Sequence, residues 1–357
     1  MVVAPIGPVA QAGALPGAAR RLRTGRNAGA AEPMDDGIIH DGAQYRVVHR
    51  RVSDDPLTVV FFESLLPTPS RLAPPTAQEF FVRRGINFVG IRPAQNDWYQ
   101  QEEIFAALAA VRRATPGARL VGYGGSMGGY GAINFAAELG LASLLAICPQ
   151  VSIARAVVPF ERRWAEEAAA ITFRHDKIAT SPRIRHGFIM FDPLTDDRLH
   201  AAAILAHHDL TPLAAWFTGH EQLRVLTQTG VAADIIIGLL RGQLGAADAV
   251  RRLRRARRDS NICWLGLAKR RLRRGEIAAA LRAIERAEAA PLPDPFDAAV
   301  TRGEILRRLG RGREAAALIG GFLDQPAFAA LARWQLDYWR TTAPAAPWWR
   351  RLLERSA

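Results

Sequence analysis

Between residues 36 and 230 the chain alternates short, continuously apolar runs with longer amphipathic stretches, and this alternation narrows the possible folds most sharply. The runs are Leu57 to Phe62, Asn87 to Ile91, Arg119 to Tyr123, Leu144 to Cys148, Gly187 to Phe191 and Leu213 to Phe217. They are too short for helices and too apolar for strands with one wet face. Ile104, Leu108 and Val111 recur at helical spacing, and helices are also predicted up to Leu139 and through His200 to His207. Thr76-Ala77-Gln78-Glu79 has the capping-box pattern and predicts a helix ending near Gly85. Doubly buried strands separated by helices make a parallel sheet with right-handed crossovers. A hairpin, Ile38 to His40 and Tyr45 to Val52 around Asp41-Gly42, precedes the series.

At the junction of one such strand and its helix lies Gly124-Gly125-Ser126-Met127-Gly128, a G-x-S-x-G match. With glycine at 30 of 357 positions, composition alone gives roughly 0.06 such matches by chance, so the strand-to-helix context carries most of the weight. A serine hydroxyl is a weak nucleophile. A sharp turn exposes it to a base and leaves helix N–H groups to receive an oxyanion. Glycine is needed at 124 and 128 because strand and helix approach closely there. The competing reading is a glycine-rich turn with an incidental serine.

With this motif in this strand series, residues 36–230 resemble the α/β-hydrolase family. The resemblance implies an α/β fold, a mostly parallel sheet with flanking helices, and a triad completed downstream of Ser126. Its histidine follows the final strand, which selects His220 as general base. His200, His207 and His208 fall in a predicted helix, and His175 and His186 in an irregular segment. Its acid follows the strand Gly187 to Phe191, where Asp192, Asp196 and Asp197 compete. Asp197 is preferred; the alternative for Asp196 is helix capping, and for Asp192 a turn before Pro193. The oxyanion hole is expected from the Met127 N–H and, from the loop at Glu63 and Ser64, a second donor assigned to Ser64. The His-Gly-Gly-Gly form of that loop is absent. Gln150 to His186, helical from Pro159 to Ile171, has the length of a lid, with Phe160, Arg162, Arg163 and Trp164 as candidate pocket residues. Trp98 and Tyr99 are candidate stacking platforms, with ordinary packing as the alternative.

Charge divides the chain. Residues 231–357 hold 24 Lys and Arg against 13 Asp and Glu, residues 1–35 four against two, and the middle is balanced at 19 each. This predicts a disordered basic N-terminal tail over 1–35, the α/β domain over 36–230, and a smaller all-α helical-repeat domain over 231–357. In the last, Leu272 to Leu281 echoes Leu309 to Leu318, pairing Gly275 with Gly312 at an offset of 37, and resembles tetratricopeptide-type repeats. Residues 232–258 read as an earlier degenerate unit, and a terminal helix is expected near Ala327 to Trp339. Such repeats suggest a docking surface for a protein or peptide partner.

The run Arg251 to Arg258 invites a nucleic-acid reading, but no zinc-finger, RRM or helix-turn-helix pattern accompanies it, and a solvated helix face explains it as well. No run approaches the ~20 apolar residues of a membrane span. Cys148 and Cys263 have no metal-ligand spacing, and no metal or cofactor is expected. A reducing, cytoplasmic compartment is the default. The leading expectation is a serine hydrolase of esterase or acyl-transfer type acting on a small-molecule or glycan acyl substrate. The alternative is an inactive hydrolase-like scaffold whose repeats bind a protein or an anionic polymer.

Overall fold

The computed structural model describes residues 35–342. The expected N-terminal tail therefore lies outside the described residues, apart from Asp35. The residues group into two compact units, one of 35–215 and 222–253, the other of 216–221 and 254–342.

The first unit is built on an eight-stranded sheet. Its opening elements are β1 (Asp35–Asp41), β2 (Tyr45–Arg51), β3 (Leu57–Phe62), α1 (Gln78–Val82), β4 (Asn87–Pro93), α2 (Ile104–Ala114) and β5 (Arg119–Gly125). There follow α3 (Met127–Asn134), α4 (Ala136–Leu139), β6 (Ser143–Ile147), α5 (Ala165–Ala170), β7 (Phe188–Phe191), α6 (Asp197–His207) and β8 (Thr211–Ala214). Strand order is β1-β2-β4-β3-β5-β6-β7-β8. β2 runs antiparallel to both its neighbours, and every pairing from β4 to β8 is parallel. This is an α/β-hydrolase-type sheet, with the serine turn at the carboxyl end of the central β5.

Both faces of the sheet are covered, which is why its strands read as continuous apolar runs. Alternate residues of β3 serve opposite cores. Val60 and Phe62 join Leu108, Val111, Ile133 and Ile204 on one side, while Leu57, Val59 and Phe61 join Phe81 on the other. The second core is completed by helices beyond β8. After α7 (Gln222–Gln228), α8 (Ala232–Arg241) contributes Ile235, Ile236, Leu239 and Leu240, and α9 (Ala246–Ala256) contributes Ala249 and Leu253. The boundary expected near Gly230 thus falls after Leu253. Of residues 232–258, expected as a degenerate repeat, 232–253 supply one wall of the sheet's core, and each such apolar side chain contributes ~1.5–3 kcal/mol on burial. Arg251, Arg252, Arg254 and Arg255 face outward from α9.

Three local expectations change. Thr76 does not cap α1, whose N-cap is Ala77 without a side-chain bond, because the Thr76 hydroxyl donates to Glu63 at 2.6 Å. The helix expected over Pro159 to Ile171 shortens to α5. β8 ends at Ala214, leaving Trp216 and Phe217 outside the sheet.

The second unit contains α10 (Asn261–Arg273), α11 (Ile277–Ala287), α12 (Pro295–Arg308), α13 (Gly312–Gly320) and α14 (Ala329–Thr341). α10 starts where the Ser260 hydroxyl accepts the Cys263 N–H, and α12 where Asp294 accepts the Asp297 N–H. The left-handed turn residues between paired helices are Gly275 (φ 76°) and Gly310 (φ 80°). Hence the register of the repeat is 35 residues, and Gly312, which the sequence match pairs with Gly275, is the first residue of α13. The buried pairs agree: Ala280 with Ala315 and Ile284 with Ile319, all fully buried. Among the described residues no single helix is long and apolar enough to cross a membrane.

Candidate active site

Ser126 is the single residue between β5 and α3, and it is held at φ 50°, ψ −120°, a conformation that non-glycine residues rarely adopt. Its N–H donates to the Ile147 carbonyl of β6 (2.8 Å), and its carbonyl accepts the Tyr130 N–H of α3 (3.0 Å). A Cβ on Gly124 would lie 2.3 Å from the Gly128 carbonyl carbon, and one on Gly128 would lie 2.1 Å from the Phe62 oxygen. The glycines are therefore there for space. Met127 opens α3, in the helix N-terminal position expected of an oxyanion donor.

Other strained backbones gather near the carboxyl ends of the strands. Trp98 (φ 49°) and Tyr99 (φ 59°) follow β4, Cys148 (φ 41°) follows β6, and Phe217 (φ 71°) follows β8. Strain of this kind costs on the order of 1–3 kcal/mol per residue and concentrates at functional sites.

The sequence did not single out Gln150. It is fully buried just beyond β6, and its Nε2 lies 3.2 Å from Ser126 Oγ and 3.1 Å from the Cys148 carbonyl. Its Oε1 accepts the indole N–H of Trp98 at 3.3 Å. A glutamine in an irregular segment has no pattern by which sequence could mark it.

The loop after β3 has a different role from the one expected. Ser64 Oγ donates to the Gly125 carbonyl (2.9 Å), and the Ser64 N–H donates to Glu63 Oε1 (3.2 Å). The Glu63 carboxylate also holds Arg92 at 2.8 Å and both donors of Thr76. Burial pushes the Glu63 carboxyl upward, against these bonds. The Ser64 N–H, expected to complete the oxyanion hole, is thus engaged by its neighbour, and Ser64 instead ties the loop to the serine turn.

Trp98 and Tyr99 are packing residues and offer no exposed stacking platform, since both are fully buried. Tyr99 stacks on Tyr45 at 6.1 Å and donates to the Glu63 carbonyl at 2.6 Å. Their turn is shaped by Asp97, which accepts the Tyr99 N–H (2.9 Å) and the Tyr45 hydroxyl (3.2 Å). Burial raises the Asp97 pKa to about 6, against those bonds.

Of the three candidate acids, Asp192 directly follows β7 and accepts the Leu194 N–H at 2.9 Å, forming the turn at Pro193. Asp196 occupies the N-cap of α6 without a side-chain cap bond. Asp197, the first residue of α6, is buried and pairs with Arg163 at 2.7 Å. Arg163 also binds Glu161, which meets His200 Nε2 at 2.9 Å. The Val151 N–H donates to His200 Nδ1, so the ring proton sits on Nε2 and points to Glu161. Burial alone would raise the Glu161 pKa, but the bonds from His200 and Arg163 bring it down to about 2. Of the expected pocket residues, Arg163 is committed to these carboxylates and Trp164 packs edge-on against Trp98 at 6.0 Å. Phe160 lies 4.9 Å from the His200 ring.

His220 follows β8 along the chain in segment 216–221, which groups with the helical unit. A Cβ on Gly266 of α10 would lie 2.2 Å from the Phe217 oxygen, so this segment rests directly on the α10 backbone. The Glu221 N–H donates to the Thr218 carbonyl at 3.1 Å, and Gly219 is left-handed (φ 62°).

No family model matches the chain, and no curated protein matches it. Solved structures match part of the chain at low identity. The capsule O-acetyltransferase of Neisseria meningitidis serogroup A is 12% identical with a TM-score of 0.40, covering 55% of this chain and 92% of that one. An α/β serine hydrolase without lid from Xanthomonas campestris is 15% identical with a TM-score of 0.32, covering 56% and 95%. Mycobacterium tuberculosis MPT51 is 13% identical with a TM-score of 0.39, covering 59% and 100%. Overlap of this degree assigns neither a family nor an activity.

Proposed function

We propose that the chain is a serine hydrolase or acyltransferase with Ser126 as nucleophile, His220 as general base and Asp197 as the acid that orients the base. The observation that carries this reading is the Ser126 backbone, a strained turn between the central strand and its helix that exists only because Gly124 and Gly128 lack side chains. In the reaction the Ser126 oxygen bonds to the acyl carbon while its proton passes to His220. The carbonyl π pair moves onto oxygen, where the Met127 N–H receives it. Collapse of that intermediate expels the leaving group, which takes the proton back from His220. Water or an acceptor hydroxyl then repeats the sequence in reverse. The role proposed for Asp197, which also pairs with Arg163, is to hold the imidazole in one tautomer; Asp192 is the rival for that role.

The test is hydrolysis of p-nitrophenyl acetate by the full chain and by Ser126→Ala, His220→Ala, Asp192→Asn and Asp197→Asn. The expected result is loss of turnover in the first two and a drop of about 10⁴-fold in the variant of the true acid. Undiminished turnover in Ser126→Ala would remove the proposal. The helical unit is proposed as a docking surface for a protein or peptide, with an acyl-bearing small molecule or glycan as the hydrolase substrate.

A further inference from the structure

The geometry points to the Gln150 carboxamide as the second oxyanion donor, in place of a backbone N–H from the loop after β3; this rests on the serine-nucleophile reading above. Three observations carry it. First, the Ser64 N–H is engaged by Glu63 Oε1 and the Glu63 N–H by the Ile91 carbonyl at 3.3 Å, so the two backbone donors expected there are already committed. Second, the orientation of the Gln150 amide is fixed from both ends. An indole N–H only donates and a carbonyl only accepts, so Oε1 must face Trp98 and the NH₂ group must face Cys148. With one amide hydrogen on the Cys148 carbonyl, the other is directed at Ser126 Oγ, 3.2 Å away. Third, the residues holding the amide, Trp98 and Cys148, both have left-handed backbones, so the strain sits on its supports.

A donor beside Oγ is well placed for the oxygen of a carbonyl bonded to Oγ. When the Ser126 oxygen attacks, its lone pair becomes the new C–O bond and the carbonyl oxygen takes the π pair, two bonds away from Oγ through the acyl carbon. The Gln150 N–H then transfers its hydrogen bond from Oγ to the oxyanion, alongside the donor proposed at Met127. Because the amide is fully buried and held by Trp98, it needs no reorganisation to do so, which is what makes such a donor effective. The bond to Oγ in the resting state also steers the hydroxyl hydrogen away from Gln150.

The experiment is the inactivation kinetics of the full chain with a fluorophosphonate probe, with kinact and KI separated. Gln150→Met, similar in length and without a donor, is expected to lower kinact about a hundredfold with KI unchanged, the loss expected for one oxyanion donor. Trp98→Phe, which removes the indole donor that orients the amide, is expected to lower kinact about tenfold. Labelling abolished in Ser126→Ala together with a Gln150→Met kinact within about threefold of wild type would discard Gln150 and leave the nucleophile standing. A folded wild-type chain that takes no label would discard both. Should Gln150→Met fail to show a cooperative thermal transition, Trp98→Phe decides alone, and an unchanged kinact there overturns the assignment.

Discussion

At the residue scale the site depends on what is missing from Gly124 and Gly128. A methyl group at either would have to displace main-chain atoms, since the nearest neighbours are backbone at 2.3 and 2.1 Å. Gly128→Ala should therefore cost about 3 kcal/mol or more and abolish labelling of Ser126, measured by thermal unfolding and probe incorporation. Asp97 makes a pH prediction. Its folded pKa of about 6 lies above the ordinary carboxylate value of 3.8, so its contribution to stability is fully present below about pH 4 and lost as pH rises to 6. Asp97→Asn should flatten the decline in melting temperature across that window. A decline of unchanged slope would place its origin elsewhere. The serine turn was legible in sequence because glycine spacing states its geometry directly. Gln150, Arg163 and Asp97 were not, because a lone polar residue in a loop acquires meaning only from partners distant in sequence.

At the scale of elements, the segment between β6 and β7 is tied to α6 by charge. Arg163 spans Glu161 and Asp197, and Glu161 accepts a hydrogen bond from the His200 ring. Arg163→Met would remove the cation that two buried carboxylates share and should cost about 3–5 kcal/mol in thermal or denaturant unfolding. A cost below about 1 kcal/mol would mean that the carboxylates find water. The segment that carries His220 is held differently, by backbone contact on Gly266. Gly266→Val should displace Phe217 and lower the thermal stability of the helical unit. Most strands were legible because their doubly covered faces leave a continuous apolar run. The capping box failed because Glu63, thirteen residues earlier in the chain, competes for the Thr76 hydroxyl. The helical character of the last third was legible, but the glycines matched in sequence are not the pair that turns. Sequence matching pairs any two glycines, whereas the turn selects the ones at positive φ, Gly275 and Gly310.

At the scale of the whole molecule, charge composition placed the division at residue 230, but the apolar core places it after 253. Surface charge and core membership obey different constraints: α9 carries a basic exterior over an apolar face, and that face, like the apolar face of α8, belongs to the sheet. A chain cut after Gly230 should be insoluble, having stripped α8 and α9 from the core that also holds Leu57, Val59 and Phe61, whereas one cut after Leu253 keeps that core whole. Comparable soluble yields from the two would contradict the assignment. The central claim is that this fold serves to activate one serine, and intact-mass measurement after fluorophosphonate treatment tests it most directly. The account predicts a single adduct on the full chain, mapped to the peptide containing Ser126 and absent in Ser126→Ala and His220→Ala. An unmodified, folded wild-type chain, or an adduct that persists in Ser126→Ala, would contradict it.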